Sequence, residues 1–123
     1  MSGNEPVAVV GQGWDGYSYR VRTEPFEAWF TVGVDEDLEA VDNVDVDVRL
    51  ADGSRWGATL LTLAEVARLM DSWSRTGEAL SGRVFWCVNQ LIVRDPGIDN
   101  MVAVLGGLID SGEFTHIFKR LDD

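Results

Sequence analysis

The chain has 123 residues, of which 46% are hydrophobic, and its 21 acidic and 10 basic side chains give a formal net charge of −11 at pH 7. This length suits one domain spanning residues 1–123, and the hydrophobic content excludes the composition of chains that stay disordered. The acidic balance disfavours direct nucleic-acid binding, because affinity for phosphate backbones comes largely from lysine and arginine.

The first sixty residues carry the patterns of β-strands. Residues 17–22 alternate between apolar and polar side chains, and residues 26–34 are rich in β-branched and aromatic types. Two strands joined near Thr23–Pro25 are therefore predicted. Residues 44–61 predict a β-hairpin, because apolar residues recur with a period of two on either side of Asp52-Gly53, a dipeptide typical of tight turns.

The second half carries the patterns of helices. Thr62 and Glu65 match the capping box found at helix starts, and Gly77 is placed to end the helix that follows. This helix is predicted to pack one face on the sheet. An apolar stripe over residues 98–109 predicts a second long helix, ended by Gly112.

Shorter elements complete the predicted fold. Residues 84–88 and 91–93 predict two short strands, and residues 114–121 predict a final short helix. Together the patterns indicate an α+β chain with a mostly antiparallel sheet of about five to six strands and two to three helices packed on one of its faces.

The sequence also indicates the cellular compartment in which the protein is found. Cys87 is the only cysteine, so an internal disulfide is excluded, and a buried thiol in a reducing compartment is expected. The N-terminus lacks the basic segment of a signal peptide, and residues 101–109 form an apolar stretch about half as long as the roughly 20 residues of a membrane span. We expect a cytoplasmic protein that does not bind membranes.

Sequence motifs give little support for catalysis or cofactor binding. Gly11, Gly13 and Gly16 spell GxGxxG, but a strand pattern follows where a dinucleotide-binding loop needs a helix, so a glycine-rich turn is predicted. Cys87 and His116 are the only thiol and imidazole, and we expect a buried cysteine and an exposed histidine rather than a catalytic pair. No enzyme activity and no cofactor are predicted.

The most distinctive feature is an acidic tract from Asp35 to Asp47 with seven carboxylates and no basic residue: Asp35, Glu36, Asp37, Glu39, Asp42, Asp45 and Asp47. The tract does not match the calcium-binding loop of an EF-hand, because Ala40 occupies the glycine position and Val46 the position of the bidentate glutamate. No metal is therefore assigned. Asp45 and Asp47 are expected to project from the same face of a strand. A solvated acidic loop that keeps the protein soluble remains the competing interpretation.

A dense carboxylate array suits a basic protein partner. Such charge complementarity speeds association by steering the encounter. Trp29 and Trp56 are the aromatic residues that we predict to serve as apolar anchors beside the acidic tract, if they are exposed.

The acidic tract, the capped helix from Thr62 and the segment RVFWCVNQLIVRDPG (residues 83–97) give the chain a resemblance of type to the small acidic immunity proteins of bacterial polymorphic and contact-dependent toxin systems. This resemblance implies binding and inhibition of a cognate toxin, such as a nuclease domain, and transfers no catalytic residue. Two alternatives stay open. One is a small-molecule-binding or enzymatic domain with a pocket between sheet and helices, and the other is a homodimer formed through Gly106 and Gly107.

Overall fold

The computed structural model describes residues 8–121, which form one seven-stranded sheet and four helical segments. The strands are β1 (Val9–Asp15), β2 (Ser18–Thr23), β3 (Phe26–Phe30), β4 (Asn43–Leu50), β5 (Arg55–Thr62), β6 (Gln90–Val93) and β7 (Lys119–Arg120). The helical segments are α1 (Leu63–Thr76), α2 (Glu78–Gly82), α3 (Ile98–Ser111) and α4 (Phe114–Ile117). The α+β class is confirmed, with more strands and helical segments than the sequence predicts.

The sheet is mostly antiparallel and follows the chain order from β1 to β6. The first five strands pair antiparallel with their sequence neighbours, whereas β6 lies parallel to β5. One edge of β5 is shared, because β6 pairs with residues 59–62 and β7 with residues 56–57. The two short strands β6 and β7 therefore lie end to end along the same neighbour.

The predicted hairpin of β4 and β5 is confirmed. Gly53 has a φ of 89°, and the Asp52 carboxylate accepts hydrogen bonds from the backbone N–H and the hydroxyl of Ser54. The turn between β2 and β3 also lies where predicted, and the Thr23 side chain closes it by bonding the backbone of Phe26. However, β3 ends at Phe30 rather than Val34, because the chain leaves the sheet after Thr31 donates to the Asp45 carbonyl.

The hydrophobic core lies between one face of the sheet and α3. The fully buried side chains include Phe30 and Leu60 from the sheet and Met101 and Leu105 from α3. α3 and its C-terminal Gly112 agree with the predicted second helix. We call this side of the sheet the core face and the opposite side the open face.

α1 begins and ends where the sequence predicts but packs differently. The Thr62 hydroxyl caps its N-terminus by accepting from Glu65 N, and Gly77 ends it in the left-handed conformation. Its buried residues are Glu65 and Val66, and it contributes none to the main core cluster. The prediction that the helices pack together on one face is therefore too simple, since α3 and α4 supply the helical contribution to that core.

The predictions for two short elements in the last forty residues are wrong. Residues 84–88 form no strand, and Phe85 instead stacks on Trp73 of α1 with ring centroids 5.6 Å apart. The final helix spans residues 114–117, after which the chain turns into β7. Within residues 8–121, no helix is long and apolar enough to cross a membrane.

Candidate functional site

The acidic tract divides into two parts with different surroundings. Its first five carboxylates lie in the loop between β3 and β4 (residues 31–42), which we call the acidic loop, and all five residues are exposed: Asp35, Glu36, Asp37, Glu39 and Asp42. The last two, Asp45 and Asp47, lie on β4. The structure therefore brings five of the seven carboxylates together in one loop.

Hydrogen bonds within the acidic loop give it a defined shape. The Glu36 carboxylate accepts from the backbone N–H of Gly33 at 2.6 Å, and the Gly33 carbonyl accepts from Glu36 N at 3.0 Å. The Asp37 carboxylate accepts from Glu39 N at 3.0 Å. In each of these turns, one carboxylate oxygen of Glu36 or Asp37 accepts a backbone hydrogen bond. Both residues are nevertheless exposed at the surface.

The acidic loop is also fixed to the start of α3. The carbonyl of Leu38 accepts from Ile98 N at 2.9 Å, and that of Val41 accepts from Gly97 N at 2.8 Å. Val41 is buried in the core and Leu38 packs against it. The apolar residues of the loop therefore point inward, and its carboxylates are held on the outside.

Asp45 and Asp47 lie on the open face, on the same side of β4, as their spacing predicts. Asp45 accepts a hydrogen bond of 2.6 Å from the Thr59 hydroxyl, and Asp47 forms an ion pair with Arg55 at 2.6 Å. Both carboxylates already have partners within the sheet. Arg55 offsets the charge of Asp47, whereas Asp45 stays exposed beside a neutral hydroxyl.

The two predicted aromatic anchors lie on opposite faces of the sheet. Trp29 is on the open face, where the guanidinium groups of Arg20 and Arg49 lie 4.7 and 4.8 Å from its ring centroid. Trp56 is on the core face, because it pairs in register with the buried Val48, and it packs edge-on against Phe114 at 5.0 Å. The structure does not bring the two tryptophans together with the acidic loop.

Sequence patterns do not predict the exposure of two large apolar side chains, Val34 and Trp86. Val34, inside the acidic loop, is 72% exposed, and its β-rich surroundings made it look like part of a strand. Trp86 is 78% exposed, and exposure alternates along residues 84–88, with Val84 and Val88 outward and Phe85 and Cys87 partly buried. This alternation has the period of two on which the strand prediction was based.

A cleft of about 440 Å³ lies between the acidic loop and the start of α3. Its lining includes Tyr19, Leu38, Glu39 and Asn100. Its volume lies within the range of small-molecule sites, roughly 300–1,000 Å³. The cleft lies at one end of the region between the sheet and α3. This is the region in which the alternative interpretation, a small-molecule-binding or enzymatic domain, expects a pocket.

The structure places the residues considered for nucleotide binding or catalysis on several different elements. Gly11, Gly13 and Gly16 lie in β1 and the turn into β2, so a strand and not a helix follows the glycine pattern. Cys87 is partly buried and its thiol lies 3.6 Å from the carbonyl oxygen of Val88, whereas His116 is exposed on α4. Within residues 8–121, no group of three or more His, Cys, Asp or Glu side chains could hold a metal ion.

Next to the acidic loop, the buried Glu65 is the centre of a polar network with the more exposed Arg68 and Asn43. It is 5% exposed and receives two hydrogen bonds from Arg68, at 2.7 and 2.8 Å, and one from Asn43 at 3.3 Å. The hydrogen bonds from Arg68 are the main reason that the pKa of Glu65 is lowered, against the opposing effect of burial. The carboxylate therefore does not close the predicted capping box, and Thr62 N donates instead to the carbonyl of Asp42.

This network predicts a specific pH dependence of stability. A carboxyl group with a lowered folded-state pKa stabilises the fold above its unfolded pKa, about 4.3 for glutamate, and this contribution is lost as pH falls through the folded pKa. We expect the free energy of unfolding to fall below about pH 5, and Glu65→Gln to remove part of that fall. Urea unfolding across a pH series measures it, with Glu24→Gln at an exposed position as control; parallel curves for wild type and Glu65→Gln would contradict the assignment.

Comparison with known proteins adds no family assignment. No protein-family model matches the chain, and no curated protein or solved structure matches it. A functional assignment therefore depends on the geometry and charge of this protein's own surface.

Proposed function

We propose that the protein is a non-enzymatic acidic binding protein that neutralises a basic partner, such as a toxin or nuclease domain, in the manner of an immunity protein. The observation that carries this proposal is the acidic loop, with five exposed carboxylates and no basic side chain within it. A cytoplasmic location would place the protein where such a toxin acts.

The fixed shape of the acidic loop supports a binding role over simple solvation. A loop that only keeps a protein soluble has no need of defined geometry. Here turns within the loop and two backbone hydrogen bonds to Gly97 and Ile98 hold the carboxylates in place. An array that is ordered before binding loses less conformational freedom on association, which favours affinity.

The partition of charge supports rapid association with a basic partner. Residues 1–52 hold twelve acidic and three basic side chains, whereas the remaining residues hold nine and seven. The field of this first segment attracts a positively charged surface and raises the association rate. Val34, 72% exposed between Gly33 and Asp35, replaces the two tryptophans as the apolar contact that we propose beside the array.

The test compares two sets of amide substitutions with equal effects on net charge. The loop variant carries Asp35→Asn, Glu36→Gln, Asp37→Asn and Glu39→Gln; the control carries Asp71→Asn, Glu78→Gln, Asp110→Asn and Glu113→Gln at exposed positions outside the loop. Tagged wild-type protein is used to capture partners from host lysate at low and moderate salt, and each captured basic protein is then purified. We expect the loop variant to associate with the true partner at least about tenfold more slowly than wild type at low salt.

The control decides between a local surface and overall charge. We expect the control variant to keep an association rate within about twofold of wild type, because its charges lie away from the contact. Equal slowing of both variants, or no slowing of either, would contradict the proposal. A growth assay gives the functional readout: the partner should arrest growth when produced alone, and the wild-type protein should relieve that arrest.

A further inference from the structure

The open face carries a cluster of arginines on a protein that is otherwise strongly acidic. Arg22, Glu27, Arg49 and Arg55 form one continuous row across β2, β3, β4 and β5 in the strand register. Arg20 lies in the neighbouring row, beside Trp29. Four arginines from three strands thus lie on this side of the sheet, around Glu27 and Trp29 of β3.

Arg49 and Arg55 are direct cross-strand partners. Their Cβ atoms are therefore about 5 Å apart, a separation at which like charges destabilise a sheet. Arg55 is ion-paired with Asp47, whereas no carboxylate within residues 8–121 forms an ion pair with Arg49. Arg49 therefore lies between Arg55 on β5 and Glu27 on β3, and the Glu27 carboxylate is ion-paired with Arg20.

A cation–π contact holds the Arg49 guanidinium against Trp29, and within residues 8–121 no hydrogen bond from its donors accompanies this contact. The central carbon of the guanidinium lies 4.8 Å from the ring centroid of Trp29. A guanidinium stacked on an aromatic ring keeps its N–H groups at the edge, where they can meet an oxyanion in the plane. Preorganisation of this kind reduces the entropy that a ligand must overcome on binding.

The two arginines line a cleft of about 520 Å³ between the β2–β3 turn and the β4–β5 turn, and Arg20 lines it too. Two carboxylates also line it, Glu24 and Glu27. Glu27 is occupied by its ion pair with Arg20 at 2.8 Å. The pairs Arg20–Glu27 and Arg55–Asp47 each offset their own charges, so Arg49 and the exposed Glu24 are the charged groups of the cleft that form no ion pair within residues 8–121.

We propose that this cleft is a binding site for an oxyanion, a carboxylate or phosphate group, held by Arg49 and Arg55. The planar guanidinium fork matches either group through paired hydrogen bonds. A protein with a net charge of −11 repels anions in general, so anion binding here requires a local site rather than a diffuse ion atmosphere. The site is separate from the acidic loop and does not depend on its role.

The test is a titration of the protein with inorganic phosphate and, separately, with glutarate, at constant ionic strength maintained with sodium chloride. Binding is followed by ¹H–¹⁵N NMR, which resolves the Trp29 indole, and by calorimetry. We expect saturable binding of at least one of the two anions, with the largest shifts at Trp29, Arg49 and Arg55. Arg49→Gln should weaken binding about tenfold, the loss that follows from removing a charged hydrogen-bond donor.

Two further variants make the result specific. Glu24→Gln should strengthen binding because it removes the opposing charge, and Arg83→Gln should leave it unchanged, because Arg83 is exposed outside the cleft. Binding of phosphate alone would assign the site to phosphate groups, and binding of glutarate alone would assign it to carboxylates; either supports the proposal. Absence of saturable binding to both anions, or equal weakening by Arg49→Gln and Arg83→Gln, would overturn it.

Discussion

Replacing Leu105 with alanine is expected to lower the free energy of unfolding by about 3 kcal/mol. Leu105 is completely buried in α3, in the same core cluster as Met101 of α3 and Phe30 and Leu60 of the sheet. Removing its side-chain atoms leaves a cavity that close-packed neighbours fill only in part, and the lost contacts add to the lost transfer free energy. Urea unfolding, with the slope compared between variants, measures the change.

Leu63→Ala is the matched control for this experiment. Leu63 is 60% exposed at the start of α1, so the same substitution should change the free energy of unfolding by less than about 0.5 kcal/mol. The contrast tests the assignment of the core to α3 rather than α1. Equal losses at the two positions would mean that α1 contributes to the core as much as α3 does.

Local patterns predict much of this fold because their causes are local. The Asp52-Gly53 turn depends on a positive φ at Gly53, and the start and end of α1 depend on the Thr62 hydroxyl and the left-handed Gly77. Each of these needs only residues within a few positions in the chain. The structure confirms these predictions, except that the Glu65 carboxylate bonds Arg68 and Asn43 instead of closing the capping box.

The failed strand at residues 84–88 shows why other predictions need the whole sheet. The period-two alternation is present, but a strand also needs a partner edge to bind. Residues 56–57 of β5 are taken by β7 and residues 59–62 by β6. No stretch of that edge remains for residues 84–88, and the side chains of Val84, Trp86 and Val88 stay exposed.

The candidate site was predictable in part. The period of two already puts Trp56 on the same face of the strand as Ala58 and Leu60. This is the buried face, opposite to the face of Asp45 and Asp47. The contacts of two arginines with the Trp29 ring were not predictable from the sequence. They depend on the strand register, which brings Arg20 from β2 and Arg49 from β4 to the same ring. The contact of the acidic loop with α3 joins residues more than fifty positions apart and leaves no local signal.

That contact gives the second large prediction: Gly97→Ala should lower the free energy of unfolding by about 3 kcal/mol. Gly97 has a φ of 102°, and a Cβ there would lie 2.9 Å from the carbonyl oxygen of Glu39 in the acidic loop. The substitution therefore strains the backbone and also pushes the loop away from α3, which weakens the hydrogen bond of 2.8 Å from Gly97 N to Val41 O. Thermal or urea unfolding measures the loss, and NMR shifts in residues 35–42 should report the displacement.

Gly112→Ala separates the two effects. Gly112 also has a positive φ, 81°, but a Cβ there would meet nothing within 4 Å, so only backbone strain of about 1 kcal/mol is expected. The excess loss at Gly97 then combines the close approach of the acidic loop to α3 with the costlier backbone conformation of Gly97, whose φ of 102° and ψ of 143° lie outside the left-handed helical region of Gly112. The loop resonances isolate the close approach, because they should stay unchanged in Gly112→Ala. If the two variants lose equal stability and neither shifts the loop, then α3 does not hold the loop in place, and the preorganised carboxylate array loses its structural basis.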